Sequence, residues 1–249
     1  SGSVMINGSA STANLAGTIA AKKISANTEA GFSIVQYEGT GSNATIAHGL
    51  SSAPQMVIHK RIETDGTNWA TFHHDIVNTK HINLNTTASQ TTSTSMFNST
   101  SPTSTVISVG TSSHTNSNNK DYIAYCFHGV EEYSKFGMYE GNASTNGSFV
   151  YTGFRPAFIL IKRKAGTTDW FLFDDRRIGY NSENHRLRPN ASNDTESDPG
   201  VFEILSNGFK LGFTSGNANA SGAEYIYMAF AKQPFKYANA RVGSENNPD

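Results

Sequence analysis

From Gly31 onward the chain alternates short apolar runs with polar breaks. The runs are rich in aromatic and β-branched residues, and clusters of Gly, Asn, Ser and Thr separate them. This is the texture of strands and turns. The runs fall at 32–37, 55–62, 69–73, 105–109, 121–128, 149–152, 157–162, 169–173, 200–205, 208–213 and 224–231. No stretch of about twelve residues carries a helical period with caps, so the pattern predicts an all-β chain. Two runs break the alternation. Met56-Val57-Ile58 and Phe158-Ile159-Leu160-Ile161 are apolar on both faces. Each is expected to be a central strand, or one whose second face meets the neighbouring unit. Pro54 and Pro156 precede them at strand starts, where a missing N–H costs nothing.

The pattern also repeats. Tyr37-Glu38-Gly39 recurs as Tyr139-Glu140-Gly141, Pro54 as Pro156 and Arg61 as Arg163, all at an offset of 102 residues. Trp69 and Phe72 match Trp170 and Phe173, and Tyr122 and Phe127 match Tyr225 and Phe230. Rare residues that keep order and spacing point to a duplicated supersecondary unit. The expectation is a polar N-terminal connector (1–30), two antiparallel β-sandwich units (31–130 and 131–235) and a C-terminal tail (236–249). Turn signals every 8–12 residues or so predict roughly 7–9 strands per unit. The Ser/Thr-dense stretch 85–119 reads as edge strands and loops rather than disorder, because Met96-Phe97 and Val106-Ile107 punctuate it.

Composition narrows the function classes. Charged residues make up 16% and the net charge is −1, so no electrostatic footprint for nucleic acid exists. Ser, Thr and Asn supply 78 of the 249 residues, a surface solvated by hydroxyls and amides. No apolar run is long enough for a membrane-spanning helix, so no membrane insertion is expected. Residues 1–11 have neither the basic nor the apolar region of a signal peptide. The chain opens on Ser1, so a processed or trimmed start is expected, with Met5 as an internal start. The single cysteine, Cys126, excludes an intrachain disulfide and lies in the apolar run YIAYCF, where a buried inert thiol is expected.

Candidate chemistry is sparse. His73-His74-Asp75 places His73 and Asp75 on one face of a strand, a possible metal pair. The matching residues of the second unit are Asp174-Asp175-Arg176, so these read as solvated strand-end residues and neither metal nor cofactor is expected. Adjacent carboxylates such as Glu131-Glu132 and Asp174-Asp175 point to opposite faces of a strand, unlike a glycosidase pair. No GxSxG, HExxH or phosphate-loop motif occurs, and the chain reads as a non-enzyme. Trp69 and Trp170 read as core anchors or as platforms for a sugar face. With the amides of Asn98 and Asn190 they are the candidate ligand-binding residues.

The ordered series AGFSIVQYEGTGSNATIAHGLSSAPQMVIHKR, YIAYCFHGVEEYSKFGMYEGNAS, GSFVYTGFRPAFILIKR, LSNGFKL and YIYMAFAKQPFKYANAR resembles an all-β domain family of virion proteins in tailed bacteriophages, particularly marine ones. The resemblance covers roughly residues 20–241. It implies a virion location, as a tail-fibre or other structural component contributing to host attachment. A capsid decoration or head fibre is the alternative, and a glycan-binding module the second. Expected partners are other virion proteins, a host-surface polysaccharide and further copies of the chain. Sparse charge leaves strand edges unguarded, and fibres of this kind are commonly trimers, so a homotrimer is expected. A receptor site would lie on loops, at 85–119 or 178–198.

Overall fold

The computed structural model describes residues 4–11, 15–63, 66–177, 184–192, 196–198, 201–212 and 216–233. The expected tail at 236–249 and much of the candidate loop 178–198 lie outside the described residues. The chain is all-β and falls into two compact units. The first comprises Ser1–Gly129 with Arg163–Trp170 and Pro189–Ala191; the second comprises Val130–Lys162, Phe171–Arg188 and Ser192–Asp249.

The first unit opens with β1 (Val4–Ile6), β2 (Ser9–Ser11), β3 (Ala21–Asn27), β4 (Phe32–Glu38) and β5 (Ala44–Ala47). It continues with β6 (Met56–Arg61), β7 (Ala70–His73), β8 (Lys80–Asn83) and β9 (Thr91–Thr92). A helical turn α1 (Thr94–Phe97) precedes β10 (Val106–Val109) and β11 (Asp121–Phe127). One large sheet has the order β2-β1-β3-β4-β11-β6-β7-β8-β9, and β10 pairs β5 in a second. Strict alternation builds the large sheet's core face: Ser33, Val35 and Tyr37 point inward from β4, and Tyr122, Ala124 and Cys126 from β11. These meet Ile46, Ile107 and Val109 of the small sheet in one cluster, as in a sandwich. β6 lies between β11 and β7 with Met56, Val57 and Ile58 all buried, the central place its unbroken apolar run predicts.

One part of this unit differs from the sequence reading. Residues 1–30 are not mainly a connector: β3 pairs β4 along its length, and Ile19, Ala21 and Ile24 are core residues. The short strand that residues 19–24 suggest runs on to Asn27, with a β-bulge between Ala21 and Lys23 breaking its two-residue period. Within 85–119, β9 and β10 are edge strands, as expected there, and Met96, Phe97, Ile107 and Val109 are buried.

The second unit runs β12 (Ser134–Glu140), β13 (Phe149–Tyr151), β14 (Pro156–Arg163), β15 (Trp170–Asp174), β16 (Asn184–Arg186), β17 (Glu196–Asp198), β18 (Val201–Leu205), β19 (Gly208–Gly212) and β20 (Glu224–Ala231). Its sheets have the orders β12-β20-β14-β15, β13-β19-β18 and β16-β17. Aromatic residues dominate this core: Phe173 stacks on Phe202 at 3.9 Å and Phe202 on Phe209 at 5.6 Å. β14 lies between β20 and β15, with Ile159, Leu160 and Ile161 buried.

Each core contains a polar clasp. In the first unit Tyr37 stacks on Tyr122 at 5.4 Å. The Tyr37 hydroxyl donates to Thr115 O (2.6 Å) and the Tyr122 hydroxyl to Ser113 O (2.7 Å). Asn116, fully buried, accepts the Thr40 amide on Oδ1 (2.7 Å) and donates from Nδ2 to Ser42 O and Gly110 O. In the second unit Tyr139 stacks on Tyr225 at 5.0 Å. Their hydroxyls donate to Ala218 O (2.8 Å) and Gly216 O (2.9 Å). Asn219, also fully buried, accepts the Asn142 amide (2.9 Å) and donates to Ser144 O and Leu211 O (both 3.2 Å). An asparagine amide carries two donors and an acceptor, so one side chain ties three loops without an unmet polar group.

Candidate functional site

Three of the four residues singled out from the sequence meet in one neighbourhood: Trp170 bonds to Asn83, which pairs with Ala70 next to Trp69, and Asn190 bonds to Trp170; Asn98 ends α1. Trp170 is buried, and its indole N–H donates to Asn83 O at 2.9 Å, so its ring shows no open face. Trp69 is half-buried and stacks on Tyr125 at 6.3 Å, leaving part of its ring open. Asn190 caps the backbone: its Oδ1 accepts the Trp170 amide (2.7 Å), and its Nδ2 donates to Asp169 (2.7 Å). Asn85 does the same for Trp69, accepting its amide at 2.9 Å and donating to Asn68 at 3.1 Å. Asn98 is exposed at φ 52°, the left-handed C-cap of α1, a conformation that asparagine tolerates better than most residues.

The His73-His74-Asp75 turn is the one place among the described residues where three metal-type ligands gather, their donor atoms within 4.8 Å of one another. His73 is fully buried at the end of β7, not solvated as its strand-end position suggested, because β7 is buried on both faces. Its Nδ1 accepts the Asp75 amide at 3.2 Å, and its carbonyl accepts the Ile76 amide at 2.9 Å, which closes the turn. The Asp174 carboxylate closes the β15 turn likewise, accepting the Arg176 and Arg177 amides at 2.9 Å. The imidazole lone pair a metal needs is thus already committed to the backbone. His74 Nε2 lies 3.3 Å from Asp75 Oδ2, an ion-pair distance.

Histidines are also used as core residues. His59 is buried against Phe97, with its ring 5.7 Å from that of Phe97, and its Nδ1 lies 3.1 Å from the Tyr37 hydroxyl. That hydroxyl spends its own proton on Thr115 O, so His59 is the donor of the pair. Burial pushes the His59 pKa down to about 3, keeping the ring neutral. Beside it is a cavity of about 10 Å³ lined by Val57, Phe72, Phe97, Pro102 and Ile107, room for about one water rather than a substrate. Cys126 is fully buried, and burial raises its thiol pKa to about 12, the inert state expected from its apolar run.

Large apolar residues are exposed in both units. Among those described, Ile62 and Val77 lie in the first, and in the second Met138 lies on β12 and Phe149 and Tyr151 on β13. Phe149 and Tyr151 are 48% and 58% exposed and share the outward face of β13, with Val150 turned into the core between them. Lys135 of β12 donates to Tyr151 O at 2.9 Å and sits 5.1 Å from the ring centroid. Among the described residues, β12 and β13 are both sheet edges. A family model described as a domain of unknown function, DUF7483, matches residues 5–234, both units together.

The chain belongs to the DUF7483 family. No curated protein and no solved structure matches it. In this DUF7483 chain the sequence reading missed Asn116, Asn219, the exposed β12–β13 face and Lys22. The two asparagines had a readable signal: each stands six residues before a repeated tyrosine, Tyr122 or Tyr225. Lys22 had none, because its role depends on the bulge.

Proposed function

We propose that the protein is a non-enzymatic virion component of a tailed bacteriophage, part of a tail fibre or similar appendage, built as a tandem pair of β-sandwich units. The observation that carries the tandem reading is the clasp. Tyr37 and Tyr139 stand 102 residues apart; Thr115 and Ala218, Asn116 and Asn219, and Tyr122 and Tyr225 each stand 103 apart. The same hydroxyls and amides make the same bonds in each unit. Stacking rigid repeats is how an elongated appendage is built from a short chain, and the motif series that resembles virion proteins of tailed bacteriophages supports this reading. The buried histidines, the inert thiol and the turn-closing carboxylate favour structural over chemical use of these groups. The experiment is immunogold microscopy of purified virions with antibody raised to the recombinant chain. Label on tail appendages is the expected result; label on capsids favours the decoration protein; virions free of label overturn the reading. Light scattering at micromolar concentration tests the expected homotrimer, which a monomer would refute.

Contact with a host polysaccharide is a second reading, favoured by Trp69. Its half-buried ring is the kind of aromatic surface that a sugar face requires. Trp69→Ala should then weaken adsorption while particles still assemble.

A further inference from the structure

Phe149 and Tyr151 are aromatic residues that the core of the second unit does not use. Val150 between them is turned inward, and among the described residues neither ring stacks on another aromatic ring. Positions 102 residues earlier hold Ala47 and Gly49, so the rings are particular to the second unit. Leaving two such side chains in water forgoes the stabilisation that burial would give, and a patch of this kind marks a contact surface.

The backbone lets the rings lie along the sheet. Gly208 pairs with Tyr151 across β13 and β19, and a Cβ there would stand 3.0 Å from Phe149 Cε2 and 3.1 Å from Cζ. Only glycine at 208 lets the Phe149 ring lean over β19. The Tyr151 ring reaches toward Gly153, where a Cβ would stand 3.7 Å from its hydroxyl. Charge flanks the pair. Lys210 of β19 is paired with Phe149, its ammonium 3.9 Å from Glu203 of β18. Lys135 of β12 donates to Tyr151 O and lies 5.1 Å from that ring's centroid. The first unit uses an exposed lysine differently. The β3 bulge turns Lys22 outward, where its ammonium meets Glu38 and Asp121, each at 2.7 Å. Two carboxylates there hold one ammonium, whereas two ammonium groups and one carboxylate surround Phe149 and Tyr151.

We propose that Phe149, Tyr151, Lys135 and Lys210 form a binding platform for an acidic polysaccharide, one whose sugar rings carry carboxylates. This rests on the reading that the chain meets a polysaccharide, and gives that contact a second site and a charge. A sugar ring has apolar C–H faces and a hydroxyl-bearing rim. The faces stack on Phe149 and Tyr151, whose negative π-faces attract polarised C–H groups. The hydroxyls find a donor and acceptor in the Tyr151 hydroxyl and an acceptor in Glu203. The carboxylates meet the two ammonium groups in charge-assisted hydrogen bonds. Aromatic rings beside lysines also suit single-stranded nucleic acid. A net charge of −1, however, supplies no field to hold a phosphate backbone.

The probe is a galacturonic acid hexamer, titrated into the full chain by calorimetry, with the neutral glucose hexamer as control. Saturable binding is expected, with a dissociation constant at or below about 1 mM that rises with added salt. The neutral hexamer should bind at least about threefold more weakly. Phe149→Ala and Tyr151→Ala change exposed side chains and should each weaken binding about two- to tenfold, with thermal melts to check that both fold. Lys135→Gln and Lys210→Gln should bring the two hexamers toward equal affinity. No saturation by about 10 mM, or equal affinity of the parent chain for both hexamers, overturns the acidic ligand. Unchanged binding by the Phe149→Ala, Tyr151→Ala double variant overturns the site; if Trp69→Ala abolishes that same binding, the polysaccharide reading stands without it. A parent oligomer that the double variant turns into a monomer in light scattering makes the rings a protein contact and overturns the platform too.

Discussion

Seven of the eight histidines lie in the first unit, at positions 48, 59, 73, 74, 81, 114 and 128, and only His185 in the second. Five of the seven are buried. Where the first unit places His59, the matching position of the second holds Ile161, equally buried. Positions 102 residues apart thus hold a hydrogen-bonded imidazole in one unit and hydrocarbon in the other. Both satisfy packing, but only one couples the core to pH. The clasp, by contrast, is alike in both. Shared features should therefore fail equally when mutated, and divergent ones should separate the units.

The largest expected effect tests the shared feature. Asn116→Ala and Asn219→Ala each strand a backbone amide and two carbonyls in a buried site, and each should cost about 3–5 kcal/mol. Hydrogen exchange should place the loss in the unit mutated. A cost below about 1 kcal/mol in either would show that the clasps are not equivalent.

Next comes pH. His59 has its folded pKa lowered to about 3 by burial, while the unfolded chain titrates near 6.5. Above about pH 6.5 both states are neutral and stability is complete. As pH falls below that, the unfolded state takes up the proton first, and stability drops by about 1.4 kcal/mol per pH unit until the folded value is reached. By pH 4.5 the loss from His59 is about 2.7 kcal/mol. His48 and His81, also lowered chiefly by burial, act in the same direction. Denaturant melts from pH 7 to 4.5 should show the first unit loosening ahead of the second, and His59→Leu should flatten that slope. An unchanged slope would remove His59 as its cause.

A third pair returns to what is shared. A Cβ on Gly39 would sit 2.2 Å from Ser117 O, and one on Gly141 2.3 Å from Ala220 O, both rigid backbone at the clasp. Gly39→Ala and Gly141→Ala should each cost about 1–3 kcal/mol, to a similar extent. Thermal melts of the two variants check this, and a large inequality would break the comparison. Lys22→Glu gives the smallest effect. It puts three carboxylates together on an exposed edge, and its modest destabilisation should fade as salt is added.

Strands whose core positions alternate cleanly, such as β4 and β11, were legible from the sequence, as were the doubly buried β6, β14 and β20. β12 was not. Ser134, Phe136 and Tyr139 are its buried positions, so the two-residue period slips by one within seven residues. β3 was legible only as a short strand within a connector, because its bulge breaks the period, and β8 was hidden by its brevity, with the histidine of its buried pair His81-Ile82 reading as polar. The candidate site was less legible still. Trp170 and Trp69 have matching sequence contexts, yet one is sealed and the other partly open. Exposure depends on what lies above a strand, which local pattern does not record. Asn98 and Asn190 were chosen as amides that could meet a ligand, but the backbone claims Asn190 first.

Cys126 lies at the midpoint of the first unit's cooperative structure. β11 is hydrogen-bonded on both sides, to β4 and β6, and the thiol is sealed and held protonated. The chain thereby carries its own opening clock. An alkylating reagent can react only when the ladders on both flanks have parted, so its rate of uptake reports how often the first unit opens completely, unblurred by fraying at the edges. The single cysteine lets that be timed inside an intact assembly, with no label added and no residue changed.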